Sequence, residues 1–147
     1  MNSTRTPEAV MRLYLEEVAR KGRLELIDEI TKPDMVDEAN QIFGGPAGRA
    51  GLVAHIEGFR KNISDFSLRI HHIVGNDSQA MAWWSFTGRH VGPWLGVPAS
   101  GARVESTVFS LFDVEEGLIS RYRLYLSAII GDKTVLLDTS KPGGGLF

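Results

Sequence analysis

Apolar residues recur at helical spacing in the first part of the chain and at alternate positions in the second, so the sequence changes period once. Val10, Leu13, Tyr14 and Val18 form one stripe. Thr6 stands where a helix cap is needed and Pro7 suits a first helical position, so the spacing predicts a helix from Pro7 to about Lys21, ended by Gly22. Leu24, Leu26, Ile27 and Ile30 predict a short second helix that stops before Pro33, because the residue preceding a proline is pushed away from helical angles. A short strand is expected near Met35 to Ala39. Beyond the Gly44-Gly45-Pro46 turn, Leu52, Ile56 and Phe59 share one face of a third predicted helix, Ala50 to Lys61.

From Phe66 onward the period is two. Leu68, Ile70 and His72 alternate with Arg69 and His71, Gly75-Asn76-Asp77 turns the chain, and Ala80 to Thr87 returns. A glycine-punctuated loop follows, then strands near Val104 to Val114 and Leu118 to Ala128. Helices first and a meander second predict an α+β fold, with three helices against one face of a strongly bent sheet. One domain is expected over residues 1–133, with 134–147 as a glycine-rich C-terminal tail.

Alternation also assigns faces. With a tight turn at Gly75 to Asp77, Leu68, Ile70 and His72 lie opposite Phe86, Trp84 and Ala82. The same parity brings Ser106, Val108, Ser110, Phe112, Tyr122, Leu124 and Leu126 onto that face. The other face carries Trp83, Ser85, Glu105, Thr107, Phe109, Arg121, Arg123 and Tyr125. It is too mixed for a core and too aromatic for ordinary surface, which predicts a dimer interface.

A chain of 147 residues suits one domain able to bury a real core. The net charge of -2 and the lack of any Lys/Arg run argue against a nucleic-acid partner. No window has the roughly 18 apolar residues of a membrane span, and the N-terminal segment lacks the apolar stretch of a secretory signal. With no cysteine there is no disulfide, thiolate nucleophile or zinc-thiolate site, and the expected location is the cytoplasm.

The inner face is an apolar wall with few polar groups, the usual design of a small-molecule site. Its substrate-binding residues are expected to be Tyr14, Leu68, Ile70, Trp84, Phe86, Ser106, Val108, Ser110, Leu124 and Leu126. His72 or Asp37 is the expected general base, since imidazole titrates near neutrality and a carboxylate such as Asp37 beside it would raise its pKa; Tyr122 or Tyr14 is the expected donor. His55, His71 and His90 rank below them. No His/carboxylate cluster has ligand-like spacing, so no metal and no cofactor are expected.

The spacing Gly88-x-His90-x-Gly92-x-x-x-Gly96-x-Pro98-x-x-Gly101-x-x-Val104 resembles the SnoaL-like polyketide cyclases of the nuclear transport factor 2-like superfamily. Lys21-Gly-Arg-Leu-Glu-Leu-Ile-Asp-Glu-Ile, Pro33-Asp34-Met-Val and Phe112-Asp-Val-Glu-Glu-Gly-Leu-Ile are similar to its second-helix, first-strand and penultimate-turn signatures. The resemblance spans about Tyr14 to Ser127. It implies a conical barrel of a strongly bent mixed or antiparallel sheet with three N-terminal helices on its concave face. It also implies a homodimer with one hydrophobic pocket per subunit, and relatives that include cofactor-free cyclases, isomerases and limonene-epoxide hydrolases. Tyr14 is the pocket residue whose type carries over from the cyclases.

Other positions depart from that pattern. Leu124 and Ser127 stand where relatives carry aspartates on the last family strand, and Glu38 stands where a histidine is common. The strand of Trp84 and Phe86 lacks an Arg-x-Asp, and Asp37 and Ala39 replace a Tyr-x-Asn, so the epoxide hydrolases' Asp-Arg-Asp mechanism is not expected. Two functions remain open beside a dimeric scaffold without a ligand, in which Trp84, Phe86 and Leu124 would close on one another and leave no cavity. One is a cofactor-free isomerase or cyclase using acid/base chemistry on a bulky, polyketide-like or polycyclic molecule. The other is a non-catalytic binder of a hydrophobic small molecule.

Overall fold

The computed structural model describes residues 4–141. Helix α1 (Pro7–Leu13) starts where the Thr6 hydroxyl accepts the Ala9 N–H at 3.1 Å. It runs on as a widened π-helical turn, Tyr14–Ala19, in which Tyr14, Leu15, Val18 and Ala19 are all buried. A 3₁₀ turn at Leu24–Leu26 leads into α2 (Ile27–Ile30) and then β1 (Thr31–Asp37). The strand predicted to reach Ala39 stops at Asp37. There the Asp37 carboxylate accepts the Asn40 N–H at 3.1 Å and caps a helix not foreseen from sequence, α3 (Glu38–Ile42). Helix α4 (Arg49–Asn62) buries Leu52, Ile56 and Phe59 as the spacing predicts.

The remaining strands are β2 (Ile63–Gly75), β3 (Gln79–His90), β4 (Arg103–Glu115), β5 (Leu118–Ile130) and β6 (Lys133–Asp138). They form one mixed sheet in the order β1-β5-β4-β3-β2. On the other side of β5 from β4, β1 pairs in parallel with its first half and β6 antiparallel with its second. Strand β6 corrects the expected tail: Val135 and Leu137 bury themselves against β5 by alternation, and the chain from residue 134 to 138 is sheet. Residues 142–147 of the expected tail lie outside the described residues.

Register shifts at Ser64/Ser67, Ile70/His72 and Asp113/Val114 mark irregularities that bend the strands. The sheet curves without closing, and its concave side receives α1 on β2 and β3, α4 on β1 and β2, and α3 on β5. The expected α+β cone is therefore present. Face assignment holds for β3, β4 and β5, where Trp84, Phe86, Val108, Phe112, Tyr122, Leu124 and Leu126 are buried.

It fails at one point on β2. Leu68 pairs with Phe86 and Ile70 with Trp84, as alternation predicts, but the shift after Ile70 pairs His72 with Trp83 and Ile73 with Ala82. One irregular residue reverses parity, so His72 is exposed and does not face the interior.

Candidate active site

Between the concave face and the helices lies a cavity of about 350 Å³. Its sheet wall is Trp84, Phe86, Val108, Tyr122, Leu124, Leu126 and Leu137, and Tyr14 enters from the widened turn after α1. Helix α4 adds His55, Phe59 and Asn62, α3 adds Ala39 and Asn40, and Phe43 follows at the end of α3.

The loop between β3 and β4 makes the remaining wall with Pro93, Trp94, Leu95 and Gly96. Its base is closed by paired hydrogen bonds, His90 N–H to Ala102 O and Gly101 N–H to His90 O, each 2.8 Å. Buried His90 holds Ser100 through Nδ1 at 2.9 Å. At the tip Trp94 and Val97 exchange backbone hydrogen bonds around Leu95 and Gly96, both at positive φ, the geometry of a tight hairpin turn. Val91 and Gly92 donate to the Asn62 carbonyl at 2.9 and 3.1 Å, tying the loop to the end of α4. The glycine-histidine spacing is thus the means by which Trp94 is laid against Phe59 and Phe86 over the cavity, with ring centroids 6.4 and 5.7 Å away.

Polar chemistry gathers where α3 and α4 meet the first half of β5. Asp37, buried, accepts from Asn40 N–H with Oδ1 and bonds His55 Nδ1 with Oδ2 at 2.7 Å. A carboxylate can only accept, so Nδ1 carries a proton, and in the neutral imidazole Nε2 holds the lone pair. Burial pushes the His55 pKa down, but the charge of Asp37 and its hydrogen bond more than reverse this and hold it above the ordinary value. The imidazole lies over the Tyr122 ring, centroids 6.0 Å apart and 21° from parallel.

Tyr122 stands edge-on to Tyr14, with centroids 5.7 Å apart. Burial raises the pKa of both phenols, and the nearby Asp37 charge adds to the rise, so each stays protonated and able to donate. Beneath Tyr122, its hydroxyl and Ser110 Oγ are 2.8 Å apart, and Ser110 Oγ accepts from Trp84 Nε1 at 3.0 Å.

The residues singled out from sequence are therefore divided. Tyr14, Trp84, Phe86, Val108, Tyr122, Leu124 and Leu126 line the cavity. Asp37 is buried behind His55 and reaches the cavity through it. Leu68 is buried in the core and Ile70 packs against it, and both edge a depression beside Arg12 and Arg20 that holds the exposed His72 and is not the cavity. Ser106 is committed to the Ser127 carbonyl at 3.1 Å, and Ser110 lies under the wall. His55, which ranks below His72 from sequence, is the histidine that lines the cavity, and the predicted α4 face contains the signal: position 55 is three residues after Leu52 and four before Phe59. Asn40, Asn62 and Trp94 gave no comparable sign.

No curated protein matches the chain. Among solved structures, TsrD from Streptomyces laurentii is 28% identical with a TM-score of 0.68, over 80% of this chain and 84% of that one. A SnoaL-like polyketide cyclase from Agrobacterium tumefaciens shares the fold at 17% identity and TM-score 0.70, covering 84% and 92%. IdmH from Streptomyces antibioticus does so at 22% identity and TM-score 0.67, covering 83% and 92%. The family model described as SnoaL-like polyketide cyclase matches residues 9–127, most of the chain, and the protein belongs to that family.

Proposed function

We propose that the protein is an isomerase or cyclase that acts by general acid/base catalysis on a bulky, apolar carbonyl compound of polyketide-like or polycyclic type. The observation that carries this is the convergence of the Asp37–His55 pair and the Tyr122 and Tyr14 phenols on a largely apolar cavity. His55 Nε2 takes a proton from the carbon beside the carbonyl, and Asp37 stabilises the imidazolium that forms. Tyr122, with Tyr14 beside it, donates to the developing enolate oxygen, a role worth about 2.7–4 kcal/mol per donor in comparable sites. In ring closure the enolate carbon then attacks a second carbonyl, and His55 returns its proton to the new alkoxide. Acid and base are both side chains, so this reading requires no cofactor.

The partner surface proposed with it is the outer sheet face around Trp83, Phe109 and Tyr125, joining two copies of the chain. A cysteine-free chain suits work in a reducing cytoplasm.

The binding-only reading is favoured by the mostly apolar cavity wall, Trp84, Phe86, Val108, Leu124, Leu126 and Leu137. One experiment separates the two. Candidate cyclic and polyketide-like ketones are incubated with the protein in deuterium oxide and followed by mass spectrometry. Exchange beside the carbonyl that is lost in His55→Gln supports the enzyme. A ketone that binds without protein-dependent exchange supports the binder.

A further inference from the structure

The hydrogen bonds beneath Tyr122 have a direction. Ser110 is completely buried, and among the described residues its hydroxyl has two hydrogen-bond partners, Trp84 Nε1 and the Tyr122 hydroxyl. An indole N–H only donates, so it occupies one lone pair of Ser110 Oγ and cannot receive the serine proton. That proton has one acceptor left, the Tyr122 oxygen. If Tyr122 donated to Ser110 instead, Ser110 would hold a buried proton with nowhere to go, the costly arrangement in a dry interior. With Ser110 as donor the unpaired proton is instead that of Tyr122, which borders the cavity beside the Tyr14 hydroxyl, where a water or ligand can accept it.

We propose that Trp84 and Ser110 are positioning residues, a one-way relay from Trp84 N–H through Ser110 O–H to Tyr122 O–H that commits the Tyr122 proton to an oxyanion bound in the cavity. This rests on the acid/base reading of the site above and deepens it. Each donor polarises the next, so Tyr122 donates more strongly than an isolated phenol. The relay links neighbouring strands on the inner face, since Trp84 on β3 pairs with Val108 on β4 and Ser110 with Leu124 on β5. The Tyr122 oxygen is thereby held from behind by a rigid sheet, whereas a surface tyrosine's hydroxyl rotates freely.

The test uses 4-nitrophenol, whose two ionisation states have distinct absorbance and whose phenolate imitates an enolate oxygen. Its phenol and phenolate forms are titrated separately into wild type, Ser110→Ala, Ser110→Thr, Trp84→Phe, Tyr122→Phe and the double variant Ser110→Ala/Tyr122→Phe. Wild type is expected to hold the phenolate more tightly than the phenol. Ser110→Ala should lower that preference about five- to tenfold, the scale of weakening one charge-assisted hydrogen bond, with phenol affinity little changed. Ser110→Thr restores it, Trp84→Phe lowers it in part, and the double variant is no worse than Tyr122→Phe alone. A merely structural Ser110 would weaken both forms equally, and that result overturns the relay. Loss of preference in Tyr122→Phe but not in Ser110→Ala overturns the relay and leaves the proposed function standing. A wild type without any preference for the phenolate, or a Tyr122→Phe that keeps it, overturns both.

Discussion

Asp37 and His55 are 18 residues apart in the chain and 2.7 Å apart in the fold, joined from the end of β1 to the inner face of α4. The same carboxylate caps α3 with its other oxygen, so the residue that starts a helix also fixes the imidazole's tautomer. Both roles are served by a buried carboxylate.

The first consequence concerns rate against pH. The base form of His55 is the unprotonated one, so turnover should rise with pH through the His55 pKa, which Asp37 holds above the ordinary 6.5. In Asp37→Asn the burial that pushes the pKa down remains, while the opposing charge is gone. The acid limb of the profile should then move to lower pH, and the plateau should fall by about 10²-fold or more as the tautomer is released. Rate profiles of the two proteins, measured on the same ketone, check both features. An unmoved limb would remove His55 as the base.

Stability should carry the same signature with a definite sign. A histidine whose folded pKa lies above its unfolded value contributes stability that is fully present below the unfolded pKa and disappears as pH rises through the folded one. Urea unfolding of wild type and His55→Gln should therefore differ more at about pH 6 than at about pH 8.5. In the Asp37→Asn background that pH dependence should reverse, because burial alone then holds the folded pKa below the unfolded one.

The glycine-punctuated loop supplies a test of sterics. A methyl group on Gly88 would sit 2.4 Å from Ile63 Cγ2 and 2.8 Å from the Ser64 carbonyl, and backbone cannot swing aside. Gly101 has φ +71 with nothing within 4 Å of a Cβ, so alanine there meets only the left-handed backbone penalty. Gly88→Ala should lower stability by about 1–3 kcal/mol and Gly101→Ala by about 1 kcal/mol. Thermal melts of the two variants rank them.

These contrasts also explain which parts of the molecule the sequence discloses. Alternation over Ala80–Thr87, Val104–Val114 and Leu118–Ala128 is a direct imprint of burial on one side of a sheet, so those strands and their inner faces were legible. A period of two also makes the reading fragile. The single irregularity between Ile70 and His72 carries no residue-type signal, and it moved the expected base from the interior to the surface. Strand β6 was hidden because Lys133–Asp138 is short and next to a glycine-rich end. The Asp37–His55 pair joins a strand end to a helix face, and local patterns encode no such distance.

On the convex side, Trp83 pairs with Phe109 and Phe109 with Tyr125 across three strands, and the first two rings stack with centroids 6.2 Å apart. Their exposures are 46%, 42% and 41%, and Met81 and Ile129 extend the strip. The pairs Arg103–Glu105 and Arg121–Glu38 supply charged groups of the kind a polar rim uses. If two copies meet here, burying about 800 Å² on each, sedimentation should show a dimer at micromolar concentration. Trp83→Glu with Phe109→Glu should convert it to a monomer, because two carboxylates brought into an apolar interface lose their hydration without gaining partners. Neither ring contributes to the core, so far-UV circular dichroism should be unchanged. A wild type that sediments as a monomer would instead leave this aromatic strip as surface, with no part in assembly.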